Sequence, residues 1–301
     1  MEQFLAELRT IDAGSVKYNE PLAAYTTWKI GGPADVLIIP DTQDQLVAVI
    51  RLLRSYGLPW TNLGRGSNLL VSDKGIRGVV IQPGEGFDYV RFDGNLVHAG
   101  AAYSLIKLAM LASRRGLSGL EFAGGIPGSV GGAVYMNAGA HGSDVSRIFK
   151  SADIVLETGE LVRFGAEEMS FSYRHSCLHD RPGIVTGAVF ELEEGDRNEI
   201  SAVLAANKQR RLDTQPLTQP CAGSVFRNPP NDHAARLIQE AGLKGMRQGG
   251  AEVSTQHANF IVNTGQATAE DVLTLMKTIQ QTIKERYGIQ LVAEVLVVGE
   301  R

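Results

Sequence analysis

Hydrophobic and polar positions in the first third of the chain alternate between the period of a strand and the period of a helix. From residue 43 to residue 56 the apolar side chains recur at helical spacing, which predicts a helix with one buried face. Thr42 and Gln45 stand at capping-box spacing at its start. Short apolar runs predict strands around this helix at 35–39, 59–63 and 78–82. This alternation is typical of a small α/β unit.

The rest of the chain continues the alternation, and its last helix has the strongest pattern. Apolar residues repeat at helical spacing over 269–287, behind a second capping-box pattern formed by Thr268 and Asp271. The other predicted elements are helices at 104–115 and 232–241 and strands at 152–157, 184–192, 258–263 and 290–298. Pro216 and Pro220 interrupt a helical pattern, so a domain boundary is predicted there.

The charge balance and the apolar runs exclude several classes of protein. The 301 residues carry a formal net charge of -4, without the basic excess of a nucleic-acid surface. The first ten residues lack the basic flank and apolar stretch of a signal peptide, and no apolar run reaches the about 20 residues of a membrane span. We therefore expect a soluble cytoplasmic protein that binds neither nucleic acid nor membrane.

Metal and disulfide chemistry are not indicated. The two cysteines, Cys177 and Cys221, lie far apart in the sequence and form no Cys-x-x-Cys pair. The six histidines do not form the His-Glu-x-x-His pattern of a zinc site. We expect reduced, structural cysteines and no metal site.

Glycines concentrate in two stretches, of which the larger is residues 119–142, with eight glycines in 24 residues. Dense glycine among apolar residues is tolerated mainly where main-chain N–H groups approach a ligand closely. The smaller stretch, residues 64–69, follows a predicted strand, and its amides with Ser67 and Asn68 could cradle phosphate oxygens. Neither a Rossmann fingerprint nor a P-loop pattern is present. A tight turn is the alternative for the smaller stretch, but the two together favour an anionic cofactor.

Three residues carry candidate chemistry, each with an ordinary alternative. Arg174, after Tyr173, suits a substrate carboxylate or a developing oxyanion, or it forms a surface ion pair. Ser224 follows Gly223, which leaves space for a proton-donating hydroxyl, or it caps a turn. Glu294 lies in an apolar run, where a buried carboxylate must be paired or functional; exposure on an edge strand is the alternative.

A hydrolytic triad is not indicated, although Ser224, His257 and Glu294 supply its three residue types. The serine lacks the Gly-x-Ser-x-Gly elbow, and the order of the three along the chain is not that of the α/β-hydrolases. His257 is more typical of a structural histidine.

Several segments jointly resemble the UDP-N-acetylenolpyruvoylglucosamine reductases, flavoenzymes of bacterial peptidoglycan precursor synthesis. The segments are 26–32, 64–70, 124–142 and 222–229, supplemented by Tyr173, Arg174 and Glu294. They occur in the family's order across nearly the whole chain. The sequence has no room for the insertion of the longer form, so it resembles the shorter, second type. It departs from the family pattern at His141, where an aromatic residue is common, and at Cys221, where serine is.

The resemblance implies an α+β fold, in which a two-part FAD-binding module of the vanillyl-alcohol-oxidase (PCMH) type precedes an α/β substrate-binding domain. The implied FAD-binding parts are residues 1–83 and 84–204, and the substrate domain is 205–301. The resemblance allows residues near 292–301 to return to the first part. A monomer is expected.

The resemblance also implies the reaction. NADPH reduces non-covalently bound FAD, and flavin N5 then passes hydride to the vinyl carbon of UDP-N-acetylglucosamine enolpyruvate, which yields UDP-N-acetylmuramate. Arg174 stabilises the enolate-like charge, protonated Glu294 donates a hydrogen bond to the carboxylate, and Ser224 delivers the proton to the neighbouring carbon. Two alternatives stay open: another FAD-dependent oxidase of the same fold, or a nucleotide-binding protein without catalysis.

Contact residues follow from the same resemblance. FAD contacts are implied at Gly31, Gly32, Gly64, Arg65, Gly66, Ser67, Asn68, Leu69, Gly125, Pro127, Gly128, Ser129, Gly131, Gly132, Asn137, Ala138 and Gly139. Substrate contacts are implied at Tyr173, Lys208, Arg227, Asn228 and Asn259.

Overall fold

The computed structural model describes residues 1–300, and the chain forms two compact units. Unit 1 comprises Met1–Tyr18, Val36–Arg65 and Gly78–Gln209. Unit 2 comprises Asn19–Asp35, Gly66–Arg77 and the chain from Arg210 onward. Each unit is therefore assembled from segments that are far apart in the sequence.

Eight α-helices lie within the described residues. They are α1 (Glu2–Leu8), α2 (Gln43–Ser55), α3 (Leu105–Arg114), α4 (Val130–Tyr135), α5 (Ala166–Met169), α6 (Arg197–Thr214), α7 (Ala234–Glu240) and α8 (Ala269–Tyr287). The four predicted helices are confirmed as α2, α3, α7 and α8. None of the eight is long and apolar enough to cross a membrane.

Reciprocal capping hydrogen bonds fix the starts of α2 and α8 where the sequence predicts them. The Gln45 N–H donates to Thr42 Oγ1 over 3.2 Å, and the Gln45 side chain accepts from the Thr42 N–H over 3.3 Å. At α8 the Asp271 N–H donates to Thr268 Oγ1 over 3.1 Å, and the Asp271 carboxylate accepts from the Thr268 N–H over 3.0 Å. Each cap satisfies amides that a helix start otherwise leaves without an acceptor.

Eighteen short strands complete the secondary structure of residues 1–300. They are β1 (Ser15–Pro21), β2 (Pro33–Ile39), β3 (Trp60–Asn62), β4 (Leu69–Val71), β5 (Ile76–Ile81), β6 (Val90–Asp93), β7 (Leu96–Gly100), β8 (Leu117–Ser118), β9 (Gly139–Ala140), β10 (Ser143–Asp144), β11 (Phe149–Leu156), β12 (Leu161–Gly165), β13 (Gly183–Glu191), β14 (Glu193–Glu194), β15 (Arg247–Gln248), β16 (Ala251–Val253), β17 (Ile261–Asn263) and β18 (Leu296–Val298). Strands β1, β2, β5 and β3 form a four-stranded sheet in that order.

The largest sheet of unit 1 has five antiparallel strands in the order β12-β11-β13-β7-β6. Buried side chains of α3 and α4 pack with this sheet in one core, which includes Val97, Leu108, Val134 and Phe190. The β6–β7 hairpin was not predicted: β6 has only half-buried and exposed positions, although β7 buries Val97 and Ala99. The fold as a whole is α+β, as expected.

Unit 2 packs α7 and α8 with the three-stranded sheet β15-β16-β17. Trp28, Ile30 and Leu70, from its two early segments, belong to the same core as Phe226 and Leu237. Strand β4 pairs in parallel with β18, the last strand of the chain. Early and late parts of the sequence thus share one hydrophobic core.

The predicted terminal strand at 290–298 is confirmed only at its end, as β18. Before β18 the chain meets the Ser224 segment in an isolated antiparallel bridge between Phe226 and Ala293. The Glu294 N–H donates to Val225 O over 2.8 Å, so the backbone pairs there for a single step. Because only one pair of residues is bridged, the sequence before β18 does not distinguish this single bridge from a continuous strand.

Candidate active site

Unit 1 brings the start of the smaller glycine stretch next to the larger one. A Cβ atom added at Gly64, which follows β3, would lie 3.0 Å from Ser129 Oγ, at the start of α4. Gln82 Nε2 donates to Gly64 O over 2.9 Å, and Ser129 forms an isolated bridge with Ser104. Residues that the sequence analysis assigned to one cofactor are therefore neighbours within this unit.

Four main-chain N–H groups at this junction donate to no acceptor among residues 1–300. They belong to Gly64, Arg65, Gly128 and Ser129. Ser129 is only 4% exposed, and a buried N–H without an acceptor costs free energy unless a ligand or water supplies one. Phosphate oxygens are suitable acceptors for such a group of amides.

The first turn of α4 is already occupied by acceptors of the protein. The Val130 and Gly131 amides each donate over 2.9 Å, to Tyr103 O and Ala101 O. Gly131 is packed tightly, since an added Cβ would lie 3.0 Å from the Ala101 methyl group. At exposed Gly132 an added Cβ would meet only Ser129 Oγ within 4 Å of the described chain, at 3.5 Å. Gly132 therefore leaves open space beside the loop junction.

Arg174 lies in a tight turn that is bound to the segment at Asn137 and Gly139. Ser172 and His175 exchange two backbone hydrogen bonds of 3.1 Å around the turn. Arg174 has a φ of 55°, in the left-handed region that is uncommon for residues other than glycine. Its guanidinium donates to Gly139 O over 2.8 Å, and Asn137 Nδ2 donates to Ser172 O over 3.0 Å. A cation is thus held in a strained turn beside residues assigned to the cofactor.

A stack of rings anchors the chain directly after Arg174. The ring centroids of Tyr135 and His179 are 4.2 Å apart, and those of His179 and His175 are 4.7 Å apart. Ser176 Oγ donates to Tyr135 O over 2.6 Å. These contacts tie the Arg174 turn to the end of α4.

Unit 2 brings Ser224 and Glu294 into paired segments. The Glu294 N–H donates to the carbonyl oxygen of Val225, the residue that follows Ser224. Gly223, on the other side of the serine, has a φ of 76°, and apart from its two chain neighbours no described residue has an atom within 4 Å of the position a Cβ would take there. The backbone segments that carry the predicted proton donor and the predicted acid therefore lie side by side, next to the open space at Gly223.

The rest of the smaller glycine stretch is fixed to the backbone of Glu294. Asn68 Nδ2 donates to Glu294 O over 3.1 Å, and the Leu296 N–H donates to Asn68 O over 3.0 Å. An added Cβ at Gly66 would collide with the backbone of Tyr25, so glycine is required there by the protein's own packing. Both ends of this segment, at Gly66 and at Asn68, are therefore held by contacts within unit 2.

Gly31 and Gly32 are held by the same unit. The Gly32 N–H donates to Ser72 O over 2.9 Å, and an added Cβ would collide with the Asp73 carbonyl. Just before them, buried Trp28 donates from its indole nitrogen to Ile261 O over 2.7 Å. These glycines allow close approach between chain segments.

The residues assigned to substrate binding differ in their exposure and in their hydrogen bonds. Lys208 is exposed on α6 and Tyr173 is 54% exposed, both in unit 1, while Arg227 is half-buried in unit 2. Asn228 Oδ1 accepts from the Ala234 N–H over 3.1 Å and so caps α7. The side-chain Nδ2 group of Asn228 carries two N–H donors, and neither has a hydrogen-bond partner among the described residues.

Asn259 is engaged with the protein on both sides of its amide. It is 4% exposed, its Oδ1 accepts from the Phe226 N–H over 3.0 Å, and its Nδ2 donates to Phe226 O over 2.8 Å. Its main-chain N–H donates to His257 Nδ1 over 3.3 Å. Burial, with the charge of Lys244, lowers the pKa of His257, so this ring nitrogen is kept as an acceptor.

The sequence analysis did not single out Arg211, a buried cation in unit 2. Arg211 is 8% exposed at the end of α6, and its Nε donates to Gln215 Oε1 over 2.9 Å. Burial lowers its pKa, and burial also raises the pKa of the neighbouring Cys221 thiol. The polar run Lys-Gln-Arg-Arg at 208–211 conceals this burial, because it has the composition of a solvated helix face.

Comparison with known proteins matches both parts of the chain. A family described as "FAD binding domain" matches residues 34–165, and "UDP-N-acetylenolpyruvoylglucosamine reductase, C-terminal domain" matches residues 215–298. The UDP-N-acetylenolpyruvoylglucosamine reductase of Bacillus licheniformis is 54% identical over 302 residues, which cover 100% of each chain.

Solved structures agree with these matches. The crystal structure of UDP-N-acetylenolpyruvylglucosamine reductase from Thermus caldophilus is similar with a TM-score of 0.80 and 39% identity, over 94% of this chain and 98% of that chain. A glucose dehydrogenase, Phl p 4.0202, is similar with a TM-score of 0.52 and 13% identity, over 96% of this chain and 63% of that chain. The second likeness concerns the fold alone, and it is consistent with the predicted type of FAD-binding fold.

Proposed function

Because this chain belongs to the family of UDP-N-acetylenolpyruvoylglucosamine reductases, we propose that the residues described above divide the family's reaction between cofactor binding, charge stabilisation and proton delivery. The chain is an FAD-dependent oxidoreductase that reduces UDP-N-acetylglucosamine enolpyruvate to UDP-N-acetylmuramate in peptidoglycan precursor synthesis. NADPH is the proposed reductant. The observation that carries the proposed mechanism is the pairing of Glu294 with the residue after Ser224.

The loop junction of unit 1 fits the diphosphate of FAD. Its four amides at Gly64, Arg65, Gly128 and Ser129 lack acceptors in the described chain, and a Cβ added at Gly132 would meet only Ser129 Oγ within 4 Å. We assign FAD binding to this junction and to Asn137, Ala138 and Gly139, with Gly31, Gly32, Gly66, Ser67, Asn68, Leu69, Gly125, Pro127 and Gly131 shaping the loops. When bound, FAD supplies the redox chemistry of the reaction by accepting electrons from NADPH and passing them to the substrate.

Ser224 acts as the general acid that protonates the carbon bonded to the ether oxygen and the carboxylate. A serine hydroxyl is a weak acid, so this role requires a strongly basic carbon and a fixed donor. The space beside Gly223, the residue before the serine, is open, and the backbone pairing at Val225 fixes the residue that follows it. Both features support the assignment.

Arg174 and Glu294 stabilise the negative charge that reduction places on the substrate carboxylate. Arg174 is a permanent cation, and its guanidinium is oriented by the hydrogen bond to Gly139 O. Glu294 donates a hydrogen bond from its carboxylic acid form.

The sugar nucleotide is contacted by exposed or half-buried polar residues. We assign Tyr173, Lys208, Arg227 and Asn228 to these contacts. Exposed Lys208 and half-buried Arg227 supply the positive charge that a diphosphate requires.

The test follows flavin absorbance in a stopped-flow instrument. The purified protein, loaded with FAD, is reduced with NADPH under anaerobic conditions and then mixed with UDP-N-acetylglucosamine enolpyruvate. Return of the oxidised spectrum on that substrate alone is the expected result. A flavin that is reoxidised only by oxygen would indicate an oxidase of the same fold, and a protein that shows no NADPH oxidation would indicate a binding protein.

A further inference from the structure

Asn259 hydrogen-bonds to the backbone of the segment that carries Ser224 in the way that a neighbouring strand would. Its side chain both accepts from the Phe226 N–H and donates to Phe226 O, over 3.0 and 2.8 Å. Its main-chain oxygen accepts from the Val225 N–H over 2.9 Å. One residue therefore satisfies three of the four main-chain N–H and C=O groups of the two residues that follow Ser224.

The same two residues are held from a second direction by the Glu294 segment. Val225 O accepts from the Glu294 N–H over 2.8 Å, and Phe226 is bridged to Ala293. The backbone after Ser224 thus lies between Asn259 and Glu294. A shift of this backbone would move both predicted catalytic groups of unit 2 together.

We propose that Asn259 is a positioning residue, which aligns Ser224 and Glu294 through the backbone at Val225 and Phe226; this inference rests on the proposed function. With 4% of its surface exposed and its amide bonded on both sides, Asn259 has little surface to offer a nucleotide. Proton transfer to carbon depends strongly on alignment, and a displacement of about 1 Å costs on the order of 100-fold in rate. Loss of Asn259 should therefore slow the protonation step rather than weaken substrate binding.

The experiment compares Asn259→Ala with a matched control, Asn263→Ala. Asn263 is also buried in unit 2, at 6% exposure, and its Nδ2 donates to a backbone oxygen, that of Trp28, over 3.0 Å. Asn259→Ser, whose hydroxyl can replace one of the lost hydrogen bonds, takes the place of Asn259→Ala if the alanine variant does not fold. Each FAD-loaded protein is reduced with NADPH and then mixed with a series of enolpyruvyl substrate concentrations.

For the Asn259 variants we expect a normal rate of flavin reduction and an unchanged apparent Kd for substrate. The reoxidation rate at saturating substrate should fall by roughly 10- to 100-fold, while Asn263→Ala should keep it. A raised apparent Kd with the saturating rate unchanged would overturn the proposal, because it would show direct substrate contact. An equal loss in the control would overturn it as well, because it would show a general effect of disturbing unit 2.

A double variant separates positioning from an independent effect. If Asn259 acts through Ser224, adding Asn259→Ala to Ser224→Ala should cost much less in reoxidation rate than it costs in the wild type. Full additivity of the two losses contradicts the proposal. If the substrate does not reoxidise the reduced wild-type flavin, the proposed function itself fails, and that outcome is recognised before any variant is compared.

Discussion

At the scale of single residues, tertiary contacts decide the left-handed backbone of Arg174 and the burial of Arg211. The family resemblance assigned Ser224 and Glu294 separate catalytic roles, and the structure pairs the backbone segments that carry them. Nothing local predicts that Arg174 adopts a φ of 55°, because a left-handed arginine is imposed by the closing of the Ser172–His175 turn. The sequence does not indicate the burial of Arg211 either, since tertiary packing decides which face of a charged helix is covered.

The role of Ser224 gives a prediction for the two half-reactions. Ser224→Ala should leave flavin reduction by NADPH nearly unchanged and slow reoxidation by the enolpyruvyl substrate by about 100-fold or more, because a general acid typically contributes 10²–10⁴-fold. Single-turnover stopped-flow absorbance measures both steps on one sample. Equal loss of the two half-reactions would count against proton delivery by Ser224.

His257 should make the stability of the protein fall at acidic pH. Burial lowers its pKa in the folded state below the ordinary value of about 6.5, so the unfolded chain binds the proton more tightly. The free energy of unfolding should therefore decrease as the pH falls below about 6.5, and His257→Gln, which cannot titrate, should lose less. Urea unfolding at about pH 7 and about pH 5 compares the two proteins. Parallel pH profiles would contradict this assignment.

At the scale of elements, regular helices were predictable and loop contacts were not. The starts of α2 and α8 follow from Thr42 and Thr268, because a capping box is a local pattern with a local cause. The contact between Gly64 and Ser129 joins loops that are distant in sequence. Glycine spacing indicated that the loops could serve one ligand, but only tertiary structure identifies which amides lack acceptors.

Gly132 offers a test of the loop junction that leaves the protein's own packing intact. An added Cβ has room in the folded chain, since the nearest described atom is Ser129 Oγ at 3.5 Å, and alanine is favoured over glycine inside a helix. Gly132→Ala and Gly132→Val should therefore remain folded yet release FAD, with the larger side chain having the larger effect. Flavin content per protein and the midpoint of thermal unfolding are measured together.

Gly131→Ala provides the contrast at this junction. There the added methyl group meets the Ala101 side chain at 3.0 Å, so folding stability should fall together with flavin content. Full flavin retention in both Gly132 variants would remove that residue from the cofactor site.

At the scale of the whole molecule, the grouping of segments was beyond what patterns reveal. The chain reads as consecutive blocks, whereas contacts group Asn19–Asp35 and Gly66–Arg77 with the chain from Arg210 onward. Trp28 shows why. Its apolar ring packs in a core formed mostly by residues from the later part of the chain, and nothing in the sequence around Trp28 identifies that core. The division into two FAD-binding parts and one substrate domain stays a prediction, as does the monomeric state.

Asp73 connects an early segment of unit 2 to its last helix. Its carboxylate accepts from the Ala269 and Glu270 N–H groups, over 2.8 and 3.0 Å, at the start of α8. Asp73→Ala should lower the free energy of unfolding by about 1 kcal/mol, as for loss of a helix cap. Asp73→Asn, which keeps one acceptor oxygen, should lose less. Urea unfolding ranks the three proteins, and an unchanged midpoint for Asp73→Ala would refute the connection.

The pairing of β4 with β18 has a consequence for biosynthesis. The strand at Leu69–Val71 leaves the ribosome long before its partner at Leu296–Val298 is made. Trp28, Ile30 and Leu70 therefore lack their core until the chain after Arg210 is made, by which point all segments of unit 1 have been translated. Such long-range pairing slows folding and leaves apolar surface exposed in the nascent chain. A chain that stops before residue 296 would lack the partner of β4, so a late segment controls whether an early strand is paired.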